Sequence, residues 1–523
     1  MSTAEQSLEP TTRKDWLERA SDFLNPILVK ETRQALKSRS FVSVFILMLI
    51  ASWLICSIGV LYVYGPDLSY AAAGRNFFTA FYTVLSIAVF IVVPQGAFRS
   101  IQSERDLQTF EMLTITTLSP RKIVWGKWWS ATVQTIVYYA AIAPFMVFTN
   151  LLRGISLPFI AFILIWSFIG SICLAMIAIT FSTFTKQRQA FGLLQFLLIT
   201  PLIFTLIGLL QTMMALSATE LPFDSFLFWL AQLMILSLLI PAFILLRQIA
   251  TANLTFEGAN RSTGIRISCL ILMLISLTWV GIFADPGILS SITSSSASMP
   301  VEAIVTWTSL IGGWLWLVGL FTTTEDDRLS RRVRQEVPSR LLTRFLVLPF
   351  YPGGGRGFVY FMMSIMILVC SNSYLIYVCS GSPDEKYKCM TMVLAVAAYL
   401  LFYIGVTSFL GRVLRRIGSD LHASHARVLG ILLAAAGIIG PFLFIFWDYR
   451  FGQSHPILMV TNPFVTCFQL IYGPQLASPL WAIALLGVIG LALNLRNIIV
   501  GIREFLTATP NSNKQNNAAA AAV

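Results

Sequence analysis

The sequence predicts an all-α membrane protein, a polytopic helix bundle of about 12 transmembrane helices arranged as two six-helix halves. Three observations predict it. Hydrophobic residues make up 56% of the chain and charged residues only 11%, with a mean hydropathy of +0.76. A soluble domain carries about 25% charged residues. The apolar residues gather in runs of the length that crosses a bilayer core as a helix, about 20 residues. Polar loops separate the runs, and the order of long and short loops repeats once along the chain.

The spans fall near residues 41–64, 77–98, 130–150, 157–184, 190–215, 226–246, 266–284, 301–321, 357–379, 390–411, 428–447 and 479–500. The stretch from Ile457 to Gly473 is also apolar, and re-entry from one side is the alternative to a crossing there. No cleavable signal is expected, because the first apolar run starts at Phe41 and continues for a full membrane thickness. Ahead of it, Asn25–Pro26 opens a helix with a capping residue and a first-position proline. Leu24, Leu28, Ala35 and Leu36 share one face of that helix, and Lys30, Arg33 and Lys37 lie opposite. The pattern suits a helix in the inner lipid interface with its cations toward anionic headgroups. A solvated basic helix leading into the first span is the alternative.

The longest polar interruption in the first half runs from Arg99 to Trp129. A helix is expected from about Ser103, with Glu104, Gln108 and Glu111 on one stripe and Leu107, Phe110 and Thr114 beside it. Leu118–Ser119–Pro120 then supplies a stop and a restart, Ser119 as cap and Pro120 at the first helical position.

Basic residues set the orientation, since Lys and Arg accumulate in cytoplasmic loops. With the N-terminus inside, the inner segments hold 31 of the 36 Lys and Arg residues. The outer loops hold Arg75, Arg153, Lys386, Lys388 and Arg450. An odd number of spans scrambles this split, so both termini are expected in the cytoplasm. The net charge of +12 is then mainly a topology signal. Nucleic-acid binding is disfavoured, because the cations scatter over seven inner segments instead of forming one patch.

Cys379 and Cys389 flank the expected outer loop CSGSPDEKYKC, where a disulfide is one reading and two small apolar residues near span ends is the other. None of the seven cysteines has a metal-ligand spacing, and His422 and His425 lack a carboxylate or thiolate cluster, so no metal is expected. The run Pro352–Gly357 lacks the GK[ST] ending of a phosphate-cradling loop and reads as a flexible turn into the ninth span. No ionisable residue falls in the middle of a span, and Arg496 lies near the inner end of the last one, within snorkelling reach of the interface. That lowers the odds of an ion-driven mechanism, which commonly uses such residues. Prolines 94, 144, 201, 241 and 441 are expected to bend or interrupt helices, chiefly as packing features.

Spans seven and eight, the outer loop 285–300 and the inner segment 322–356 repeat the loop order of the first half. The second inner segment, EDDRLSRRVRQEVPSR, has no counterpart to TFEMLTITTLSPRKIVWGK and reads as divergent. The organisation expected is a cytoplasmic N-terminus with an interfacial helix over 1–40, membrane halves over 41–250 and 251–507, and a disordered tail over 508–523.

NPILVKETRQALKSRSF before the first span, together with SERDLQTFEMLTITTLSPRKIVWGKW after the second, resembles membrane subunits of the type-2 ATP-binding cassette (ABC) exporter family. The resemblance covers roughly residues 22–250, and its most specific part is about thirty residues long. It implies an elbow helix carrying Leu24, Pro26, Leu28, Lys30, Arg33 and Lys37. It also implies a coupling segment built from Glu104, Leu107, Gln108, Phe110, Glu111, Leu118, Ser119, Pro120, Arg121 and Lys127. The chain has no Walker-type GxxxxGK[ST] segment, so the family pattern puts ATP and Mg on a separate cytosolic ABC ATPase subunit and leaves this chain a permease without enzymatic activity of its own. A homodimer or a second permease is the membrane partner implied, in a cell membrane such as the bacterial inner membrane. The cargo stays open. A secondary transporter and a non-transporting multi-span assembly protein are the alternatives, and an integral membrane enzyme is disfavoured because no His or carboxylate cluster converges at a membrane face.

Overall fold

The computed structural model describes residues 26–64, 72–106, 119–184, 188–218, 221–256, 258–284, 301–327, 329–378, 382–417, 423–447, 460–472 and 480–508. Among these residues there is no strand, and twelve helices are long and apolar enough to cross a membrane, one for each expected span. The protein is a multi-span, all-helical integral membrane protein. In order, the helices are α1 (Pro26–Leu36), α2 (Arg39–Ile58), α3 (Gly74–Ile87), α4 (Val93–Asp106), α5 (Pro120–Leu151), α6 (Leu157–Thr183), α7 (Arg188–Ala218) and α8 (Phe226–Leu254). They continue as α9 (Thr263–Ala284), α10 (Val301–Thr323), α11 (Arg331–Gln335), α12 (Leu341–Val347) and α13 (Gly354–Val378). The last four are α14 (Pro383–Ile417), α15 (Ala423–Trp447), α16 (Pro463–Tyr472) and α17 (Leu480–Thr507).

Several helices outrun their apolar stretches. The second span runs from Gly74 to Glu104, and the third begins at Pro120, ten residues ahead of the expected 130. Hydropathy marks where lipid contact ends, whereas the backbone ladder continues until something breaks it. The separate helix expected from Ser103 is therefore corrected: Ser103 and Glu104 belong to α4, the continuation of the second span. Residues 88–92 between α3 and α4 wind as a π turn just ahead of Pro94, which cannot donate to the ladder. The Val89 carbonyl in that turn accepts a hydrogen bond from the Ser171 hydroxyl at 2.9 Å, keeping the loosened backbone satisfied. Pro144, Pro201, Pro241 and Pro441 sit inside continuous helices.

The chain divides into two compact units, one comprising residues 1–224 and 246–255, the other 225–245 and 256–523. In the first, α4 packs on α6, with Phe98 and Ile101 fully buried and the Phe98 ring 4.4 Å from that of Phe191. In the second, α14 and α17 pack most extensively. Gly405 and Gly490 meet backbone to backbone there, so a side chain at either would clash with the other helix. Small residues at such crossings let membrane helices approach closely. Asn494 fastens the crossing by donating to the Gly405 carbonyl at 2.8 Å. Among its described residues, the stretch expected to cross or re-enter holds the ten-residue α16, about 15 Å long at helical rise and too short to cross a core of about 30 Å. It packs against α14.

Candidate functional site at the basic ends of the spans

In the first unit, the basic end is organised by one lysine. Lys127, about two turns into α5, has a fully buried side chain. Its ammonium lies 2.9 Å from Glu31 Oε1 on α1, 3.2 Å from Glu104 Oε1 on α4 and 3.1 Å from the Ser100 carbonyl. One cation thus ties together the helix before the first span, the end of the second and the start of the third. Taking three charges out of water is costly unless they are paired, and here one ammonium sits against both carboxylates. Trp128 locks the same turn to the fourth span through an indole N–H bond to the Ile172 carbonyl at 3.0 Å. Arg247 lies over the Trp125 ring at 5.3 Å from its centroid.

In the second unit the basic end is organised by two arginines, Arg266 and Arg356, whose side chains are fully buried. Arg266, at the start of α9, donates to the Pro349 and Tyr351 carbonyls at 2.8 and 2.6 Å and pairs with Glu325 at 2.7 Å. Glu325 also accepts from the Ser262 hydroxyl at 2.6 Å and the Gly353 N–H at 2.9 Å. Arg356, in the first turn of α13, pairs with Glu504 of α17 at 3.3 Å and donates to the Gly501 and Pro352 carbonyls. Glu504 reaches further to Arg334 at 3.1 Å and to the Leu329 N–H at 3.0 Å, so it anchors the segment carrying α11. Burial and then the Glu336 carboxylate push the Tyr351 hydroxyl pKa up, and that hydroxyl donates to the Glu336 carbonyl at 2.8 Å. Within each unit, the loops gathered on this side are those that the alternation of spans requires.

The glycine run at 352–357 is not a flexible turn, which corrects that expectation. Gly354, Gly355, Arg356 and Gly357 form the buried first turn of α13. Gly353 adopts φ +133°, and the Arg356 guanidinium occupies the space a side chain would need there. Gly355 and Gly357 lie against the backbones of Asn497 and Thr322. The glycines bring helices together around the arginine.

The expected site residues divide into three groups. Pro26 opens α1, Lys30, Arg33 and Lys37 are exposed and Leu28 is half-buried, but the helix also packs along α5, with Ile27 buried and Glu31 paired to Lys127. Ser119 holds the cap position of α5 with Pro120 first, although the Ser119 side chain makes no capping bond. Arg121 is exposed, as is the adjacent Lys122, while Glu104 and Lys127, both in the coupling segment that the resemblance implies, are buried. Leu24, Leu107, Gln108, Phe110, Glu111, Leu118 and Cys379 lie outside the described residues, as does His422. Cys389 is buried at the start of α14. Among the described residues, no group of three or more His, Cys, Asp or Glu could hold a metal ion.

Sequence reasoning missed Glu31, Arg266, Glu325, Arg356 and Glu504. The signal for them was faint: one acidic residue in an otherwise basic helix, and single arginines at the thresholds of apolar spans. No family model, curated protein or solved structure matches the chain, so the functional reading rests on these residues and on the resemblance carried by the two segments around the first two spans.

Proposed function

We propose that the chain is the membrane-spanning permease subunit of an ATP-driven exporter of the type-2 ABC kind, moving its cargo across or out of the membrane with a separate ATPase subunit that holds ATP and Mg. Its setting would be a cell membrane such as the bacterial inner membrane, with both termini cytoplasmic. The observation that supports this reading most is the Lys127 cluster. It bonds α1, α4 and α5 together on both sides of residues 107–118, the segment that resembles a coupling helix. A push on that segment would reach three helices at once, because its flanks are fixed to one buried charge. Coupling also needs two states that the push can bias.

Accessible contact residues would then be Arg121 and Lys122, which are exposed at the start of α5. Purification of the tagged full-length chain from its native membrane should bring down an ATPase. The double variant Arg121→Glu/Lys122→Glu should weaken that association, since misplaced like charges at an interface can cost several kcal/mol. Membrane abundance should not change. Export that continues with no ATPase present would overturn the reading. The Glu104→Lys change would not discriminate, because it puts a second cation beside buried Lys127 and disturbs folding.

A secondary transporter is the second reading, and the short α16 favours it, since interrupted helices form the binding sites of many such proteins. Transport that collapses with the ion gradient and ignores ATP depletion would select it.

A further inference from the structure

The unit formed by residues 225–245 and 256–523 contains a cavity of ≈ 420 Å³ bounded by α10, α14, α15 and α16. Gly313 and Trp316 of α10, Val396 of α14, Ile438 of α15, and Phe464 and Phe468 of α16 form much of its wall. The size falls in the range of small-molecule sites, about 300–1,000 Å³.

The chemistry of the wall is nearly all hydrocarbon and aromatic, and among the described residues no Asp, Glu, Lys, Arg or His lines it. Its tyrosines are already committed: the Tyr399 and Tyr403 hydroxyls donate to the Val460 and Thr461 carbonyls just ahead of α16. The Ser309 hydroxyl donates to Val305 in its own helix at 2.9 Å. Water gains little in such a place, and a closed apolar cavity of about 150 Å³ stays dry and takes up benzene. An empty void forfeits dispersion contacts along its whole wall.

The cavity has an origin and a rim. A side chain at Gly313 would meet no atom within 4 Å of its Cβ, so α10 leaves open space where most residues would fill it. Phe464 and Phe468 on α16 are 70% and 63% exposed, and Gly313 and Ser309 on α10 are exposed as well. On a membrane-spanning bundle, residues exposed beside apolar spans face lipid chains.

We propose that this cavity is a binding site for a single hydrocarbon chain of a membrane lipid, which enters sideways between α10 and α16 past Phe464 and Phe468. The chain can belong to a phospholipid or to a free fatty acid, because among the described residues the wall offers no charged group that reads a headgroup. The proposal is independent of the ATPase reading, and a chain that copurifies with no ATPase leaves it standing.

The test uses the full-length protein reconstituted in phospholipid vesicles. One arm carries a phospholipid with a diazirine midway along its acyl chain, and the other carries a free fatty acid with the same group. Adducts located by mass spectrometry should concentrate on Val396 and on Phe464 to Phe468. They should fall about tenfold in Gly313→Trp, the scale set by overpacking an occupied site. Adducts at Leu310, an outward position that is 70% exposed, should not change. Labelling in the phospholipid arm alone identifies a membrane phospholipid, and labelling in the fatty-acid arm alone identifies a free acid. Gly313→Leu serves as a smaller filler should the tryptophan variant fail to accumulate. Cavity adducts no more frequent than those at Leu310, or unchanged by both fillers, would overturn the proposal.

Discussion

Lys127 and Glu31, 96 residues apart in the chain, meet at 2.9 Å. The ammonium is shared with Glu104, so a single side chain holds two carboxylates that would otherwise repel each other across a buried space. Lys127→Met keeps the apolar stem and removes the charge. Breaking a buried pair in this way costs about 3–5 kcal/mol. Glu31→Gln leaves Lys127 paired with Glu104 and should cost less, about 1.5–3 kcal/mol for a charge-assisted bond. Thermal unfolding of the purified protein in detergent measures both, and a Lys127→Met protein that melts with the unaltered chain would show that the cluster holds nothing together.

The charge distribution and the fold make a joint prediction about sidedness. Ser156 and Ser382 are exposed in short loops on the sparsely charged side, and Ser103 and Ser424 are exposed at basic ends. Single cysteines at these four positions, in a background without native cysteines, separate the two faces with a membrane-impermeant thiol reagent. Those at 156 and 382 should react in intact cells, and those at 103 and 424 only after permeabilisation. Labelling of position 103 from outside would reverse the orientation.

The spans were readable because the bilayer imposes a length and a composition on each of them, and nothing about their partners is needed to see it. What holds their ends was not readable. Glu31 looks like an interruption in a cationic face until folding brings Lys127 to it. Arg356 looks like a loop residue because four glycines surround it, yet those glycines exist to let α13 approach other backbones. Period put Glu104 on one stripe with Gln108 and Glu111, and helical period gives the spacing of a face without saying which face is covered. The ten-residue α16 was ambiguous for a related reason: an apolar stretch carries no record of how much of it is helical.

The contact of Gly405 with Gly490 sets the spacing of α14 and α17. Gly405→Leu should separate the two helices and destabilise the second unit by about 1–3 kcal/mol or more, the cost of overpacking. Gly440→Leu, at a helical glycine whose Cβ would meet no atom within 4 Å, is the control and should be tolerated. Equal melting temperatures for the two variants would contradict the close approach.

Cys389 is 1% exposed, so its reactivity in the folded protein carries no information about pairing with Cys379. Alkylation after denaturation does. A bridge leaves both thiols unmodified until a reductant is added, and mass spectrometry should then show two new adducts. The bridge would close a short loop, worth about 2–3 kcal/mol by chain entropy before strain. Two adducts without reductant, in protein prepared under oxidising conditions, would show that the cysteines are simply small apolar residues.

Arg266 provides the sharpest separation of geometry from charge. Its guanidinium bonds two carbonyls of the turn after α12 through one nitrogen and the Glu325 carboxylate through the other. Lysine keeps the charge but offers a single point of donation, so it cannot reach both sides of this arrangement. Arg266→Lys should therefore lose roughly the net value of two hydrogen bonds, about 1–3 kcal/mol. Arg266→Met also strands Glu325 beside the Gly353 N–H and the Ser262 hydroxyl, and should lose more, about 3–5 kcal/mol. The double change Arg266→Met/Glu325→Gln removes the stranded charge and should recover part of that loss, as coupled neighbours do in a double-mutant cycle. Melting temperatures in detergent give the three comparisons. If Arg266→Lys matches the unaltered protein, charge alone suffices, and the planar fork of the arginine has no part in holding the turn before α13.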